Sequence, residues 1–163
     1  MIMAAQLPDW IIINGEFKDL YSNPLETFWT ELGKKRPALF PKEYCTRGYI
    51  ATWQITDNQL FLVAIDGSYE RRSVLFGNKS VPFTLQTLMP RMDGRPIKAS
   101  WFSGKLRVPD GIMTCYEHHA YDSRFEKEII ITIHHGELIK MVTLDYTHKT
   151  LTLNSEVLMG ARA

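Results

Sequence analysis

The chain has little excess charge of either sign. Its 19 Lys and Arg face 18 Asp and Glu, leaving a formal net charge of +1 over 163 residues. Such a balance gives no electrostatic reason to expect a nucleic-acid polyanion or an anionic membrane as partner. Cysteine is scarce, at two residues, Cys45 and Cys115. They admit one disulfide, but a pair of free thiols in a reducing compartment is the simpler reading. Long apolar runs are missing too. No stretch approaches the ~18 residues of a membrane span. The opening MIMAAQLPDWIII lacks a basic segment and is interrupted by Pro8 and Asp9, so it does not read as a signal peptide. The expectation is a cytoplasmic protein.

Also missing are a phosphate-binding glycine loop, a dinucleotide fingerprint, a serine elbow, and CxxC or HExxH spacing. The pairs His118-His119 and His134-His135 resemble metal ligands at first sight. Neighbours on a strand point to opposite faces, so each pair offers one ligand per face. Cys115 and His119 share parity but would stand about 13 Å apart along a strand. Glu126 and Glu128 would lie about 7 Å apart on one face, a spacing that glycosidase carboxylates can show. With Arg124 and Lys127 beside them, a solvated strand face is the plainer account. No catalytic residue, metal or cofactor is expected, and the chain is not read as an enzyme.

What is present is the composition of one globular domain spanning residues 1–163, with 45% hydrophobic and 23% charged residues. Asn14-Gly15 between two apolar runs predicts a hairpin. Asn23-Pro24, followed by Leu25, Phe28, Trp29 and Leu32 on one face, predicts a helix over 24–32 with Asn23 as its cap. Residues 34–46 read as a basic loop. A period of two begins at Gly48, turns at Asp57-Asn58 and returns to Ile65. Residues 66–82 carry no clear period and support at most one edge strand at 72–76. Residues 84–89 suggest a helical turn ended by Pro90. Strands are expected at 99–108, 112–119, 125–133 and 138–146, with turns at Pro109-Asp110-Gly111 and His134-His135-Gly136, and a short final strand at 150–153. Strong hairpin connections and few helices imply a β-rich α+β fold. Its antiparallel sheet should be strongly bent or partly closed, with one or two short helices.

The aromatic residues bear most on function. Trp53 and Phe125 read as core. Tyr116, His118, Tyr121, Asp122 and Arg124 surround one polar loop, and Tyr and Arg beside a loop are common interface anchors. These five are the candidate binding residues.

Two strings carry a resemblance. The first is Arg47-Gly48-Tyr49-Ile50-Ala51-Thr52-Trp53-Gln54-Ile55 with Leu60-Phe61-Leu62. The second runs from Leu88-Met89-Pro90 through Ala99-Ser100-Trp101-Phe102-Ser103-Gly104-Lys105-Leu106-Arg107-Val108-Pro109-Asp110-Gly111 to Tyr116, His118, Tyr121, Ser123 and Phe125-Glu126-Lys127. Over residues 44–140 the chain resembles a widespread group of small bacterial proteins suggestive of the immunity partners of polymorphic toxins. Where that group often has a small pair such as Met-Gly before the tyrosine, this chain has His119-Ala120. The resemblance implies a cognate protein toxin as partner and no enzymatic activity. The alternative is a small-molecule-binding or catalytic β-barrel, with Trp53, Trp101 and Tyr116 lining an aromatic cavity.

Overall fold

The computed structural model describes residues 6–115, 121 and 124–146, with the side chains of 112–115 set aside. Its first unit is the hairpin of β1 (Asp9–Ile13) and β2 (Glu16–Leu20), closed by Asn14 and Gly15. Both turn residues have positive φ, 51° and 78°, as a type I′ turn requires. The same device, with both turn residues at positive φ, recurs at Asp57-Asn58 between β3 (Tyr49–Thr56) and β4 (Gln59–Arg71). It recurs again at His135-Gly136 between β8 (Arg124–His134) and β9 (Glu137–Asp145).

These hairpins join with β5 (Lys79–Phe83), β6 (Ile97–Lys98) and β7 (Gly104–Cys115) in one nine-stranded sheet. The main order is β2-β1-β3-β4-β9-β8-β7, with β5 and β6 on β4. The sheet curls until β2 meets β7, where the Tyr21 amide donates to the Arg107 carbonyl at 2.8 Å. The protein is thus a β-rich α+β fold whose sheet is nearly closed into a barrel. Among the described residues, no helix is long and apolar enough to cross a membrane.

One pairing departs from the all-antiparallel expectation. β1 and β3 run parallel, with Ile11 opposite Trp53. The chain leaves β2, crosses through helix α1 (Glu26–Glu31) and the loop to Gly48, and lays β3 on the free side of β1. A six-residue helix has little stability of its own. It is held by burial of Leu25, Phe28 and Trp29. Phe28 meets Trp101 edge-on at 4.9 Å, and Trp29 approaches Tyr49 and Phe83 at 6.4 Å each. Burying a Phe side chain contributes about 2–3 kcal/mol.

Several local expectations are corrected. Asn23 does not cap α1 with its side chain; its carbonyl accepts from the Glu26 amide, and its side chain is engaged elsewhere. No strand covers 72–76. β4 continues to Arg71, β5 starts at Lys79, and Val74-Leu75-Phe76 forms the tip between them. Pro109-Asp110-Gly111 is not a hairpin turn. β7 runs straight through it, and the extra residue is absorbed as a bulge between the Asp110–Lys127 and Met113–Phe125 pairs. β7 ends the sheet order, and an edge tolerates both proline and a bulge. The strand expected from Ala99 begins at Gly104. The strand expected at 150–153 lies outside the described residues.

Gly48 sits close against the loop at Leu39 and Phe40. Its φ is +83°, and a Cβ there would stand 2.7 Å from Leu39 Cβ and 2.9 Å from the Phe40 carbonyl oxygen. Gly15 has a similar φ with open space around it. Gly48→Ala is expected to destabilise by about 2 kcal/mol or more, and Gly15→Ala by about 1 kcal/mol, since only the first adds a clash to backbone strain. Urea midpoints of the two variants measure the difference.

Candidate functional site

Of the five candidate binding residues, Tyr116, His118 and Asp122 lie outside the described residues; Tyr121 and Arg124 are described. Arg124 opens β8, opposite Cys115, and is exposed. Tyr121 is half-buried and held at several points. Its hydroxyl donates to the Leu7 carbonyl at 3.3 Å and accepts from the Asn23 side-chain amide at 3.1 Å. Its ring stacks on Tyr21 at 4.9 Å. Its carbonyl accepts from the Arg107 guanidinium. Burial pushes the Tyr121 phenol up, against the pull of Arg47 and the Asn23 hydrogen bond.

Arg107 straddles the seam of the barrel. Its Nε donates to Glu128 Oε1 at 2.6 Å, and its guanidinium lies over Tyr21 at 5.4 Å. Its own amide donates to the Ser22 hydroxyl at 3.1 Å. Glu128 is therefore an ion-paired residue and not part of a solvated strand face. Phe125, expected in the core, is half-buried and packs edge-on to Tyr21 at 5.6 Å.

The Leu7 carbonyl leads inward. It also accepts from Arg47 at 2.7 Å, and Arg47 reaches Asp9 at 2.8 Å. Asp9 is fully buried. It accepts in addition from the Ala51 amide at 3.0 Å and the Trp53 indole at 3.1 Å. Burial pushes the Asp9 carboxyl up, and Arg47, Ala51 and Trp53 pull it back without cancelling that rise. For Arg47 burial works downward, and the neighbouring Asp9 carboxylate, foremost among the charges around it, leaves it above its ordinary value. Arg47 thus keeps its charge beside the Asp9 carboxyl. The Arg47 Nε is buried without a hydrogen-bond partner, and its guanidinium lies 5.2 Å from the Tyr49 ring centre.

A second branch fixes the loop before β3. Arg36 grips both Glu26 oxygens at 3.0 Å and the Arg47 carbonyl at 2.6 Å, while the Tyr49 hydroxyl donates to Glu26 at 3.1 Å. Cys45 is a free, buried thiol directed at the Tyr49 carbonyl.

The connected set Glu128–Arg107–Tyr121–Leu7–Arg47–Asp9–Trp53 runs from the candidate loop to the core. Its members face one another or backbone carbonyls, so its chemistry is that of a brace. Sequence reasoning found Tyr121 but missed Asp9, Arg47 and Arg107 as its partners. One signal was available: Asp9 has the parity of the buried Ile11 and Ile13, which marks it as an inward carboxylate in need of donors. Among the described residues, no three of His, Cys, Asp and Glu come together in a way that could hold a metal ion. No protein-family model, curated protein or solved structure matches the chain.

Three outcomes follow for stability. Asp9→Ala leaves Arg47 buried and uncompensated and should cost about 3–5 kcal/mol, read from denaturant unfolding. Tyr121→Ala removes stacking and two hydrogen bonds and should lower Tm clearly, corresponding to about 2 kcal/mol. Arg124→Ala, at an exposed position, should stay within about 0.5 kcal/mol of the parent.

Proposed function

We propose that the protein acts by binding through its outer surface, as an immunity protein that neutralises a cognate protein toxin. The observation that carries this reading is the state of the two tryptophans best placed to line a ligand cavity. Trp53 is fully buried, and its indole N–H is engaged by Asp9. The Trp101 indole N–H donates to the Pro24 carbonyl at 3.1 Å, and the two rings lie 6.2 Å apart. Their polar handles are satisfied by the protein itself, as in a core and not as in a pocket awaiting a ligand.

The outer surface offers complementary material. The β8–β9 hairpin carries Arg124 at the start of its first strand and exposed Ile139, Met141 and Leu144 along its second, interleaved with Lys140, Thr143 and Asp145. Met141 and Leu144 differ in parity and so stand on opposite faces of β9, and exposed apolar side chains among charges are what a protein partner can cover. The rigid brace behind Tyr121 lowers the entropy lost when the adjoining surface is ordered by a partner.

Co-expression with any toxin-like protein found encoded beside the gene tests the reading. The parent chain should protect the cells. The stable variant Arg124→Ala combined with Met141→Lys should lose about 2 kcal/mol of affinity, roughly thirtyfold, and with it protection. Full protection by that folded variant places the interface elsewhere. No protection by the parent against any adjacent toxin rejects the function.

A further inference from the structure

The tip between β4 and β5 bears two features that solvent does not favour. Val74, Leu75 and Phe76 are consecutive and 105%, 84% and 75% exposed, so the tip protrudes and touches little of its own protein. The tip is nonetheless shaped: the Ser73 amide donates to the Gly77 carbonyl, and the Phe76 amide to the Ser73 hydroxyl, both at 3.2 Å. Directly behind it, Arg71 stands opposite Lys79 in the antiparallel register. Like charges in facing positions repel. Among the described residues, neither Arg71 nor Arg72 has an acidic side chain in ion-pair range. Arg71, Arg72, Ser73 and Lys79 converge with Val81 around one open hollow of about 290 Å³. Lys79 also lies over the Phe76 ring at 5.4 Å.

We propose that this arm docks on an anionic phospholipid surface, with Val74, Leu75 and Phe76 entering the interface and Arg71, Arg72 and Lys79 taking lipid phosphates. One occupant relieves both features at once. Apolar side chains gain by leaving water, and cations at headgroup depth are attracted by the negative surface. The shape favours a bilayer over a protein. A stable protein interface needs about 800 Å² of contact on each partner, and a protruding three-residue tip offers much less. The net charge of the whole chain averages this arm away, which is why composition alone points away from membranes. The proposal stands independently of toxin binding.

Flotation of the full chain with vesicles tests it. The protein should float with vesicles of equal parts phosphatidylcholine and phosphatidylglycerol, and not with phosphatidylcholine alone. Added salt should weaken the binding. The double variants Leu75→Ser with Phe76→Ser, and Arg71→Glu with Arg72→Glu, should each bind at least about tenfold more weakly. Their Tm should match the parent, because these positions are exposed. Four outcomes overturn the proposal: no flotation with either vesicle, equal flotation with both, flotation unchanged in either folded double variant, or full release by inorganic phosphate with no effect of the Leu75 and Phe76 changes. Absent flotation together with lost toxin protection in the Leu75–Phe76 variant would reassign the tip to the protein partner.

Discussion

The buried carboxylate of Asp9 is the constraint around which the rest of the fold is arranged. A carboxylate removed from water needs donors within reach, and here three donors come from two separate segments. Arg47 arrives from the long crossover, the Ala51 amide from β3 and the Trp53 indole from the same strand two residues on. These bonds hold β3 against β1 in the parallel register that seats Trp53 opposite Ile11. Arg47 in turn draws the Leu7 carbonyl and, through it, Tyr121. A hydrophobic substitute at one member would strand the others, so the set stands or falls as a unit.

That dependence separates an inside from an outside. The aromatic interior of Phe28, Trp29, Tyr49, Trp53 and Trp101 is packed ring against ring, with the polar atoms of Tyr49, Trp53 and Trp101 engaged. Among the described residues, the outside keeps large apolar residues on the β1–β2 hairpin at Trp10 and Phe17, along the crossover, on β9 and at the β4–β5 tip.

Much of the fold is legible where the physics is local. Asn14-Gly15, Asp57-Asn58 and His135-Gly136 announce their hairpins because few other residues accept positive φ twice in succession. The helix is legible in Phe28 and Trp29 on one face. Legibility fails where a local signal is overridden from a distance. Pro109-Asp110-Gly111 has turn chemistry, yet an edge position opposite β8 turns it into a bulge. Val74-Leu75-Phe76 has strand chemistry, yet the β4–β5 register places it beyond the last pair, Arg71–Lys79. Asn23 has cap chemistry, yet Tyr121 draws its amide away. The brace was hidden for the same reason. Asp9 and Arg47, or Arg107 and Tyr121, meet through tertiary structure that no spacing in the chain encodes.

The parallel placement of β1 against β3 bears on the order of assembly. Hairpins joined by two-residue turns close within microseconds, because little chain must be ordered before contacts form. The β1–β3 pair forms only after the whole crossover between Leu20 and Tyr49 has been looped back, a larger entropic barrier. The same holds for the meeting of Tyr21 and Arg107, which are far apart in the chain. Loop-closure entropy therefore orders the contacts: the hairpin pairs carry the smaller cost, and the contact of Asp9 with Arg47, which spans the crossover, carries a larger one.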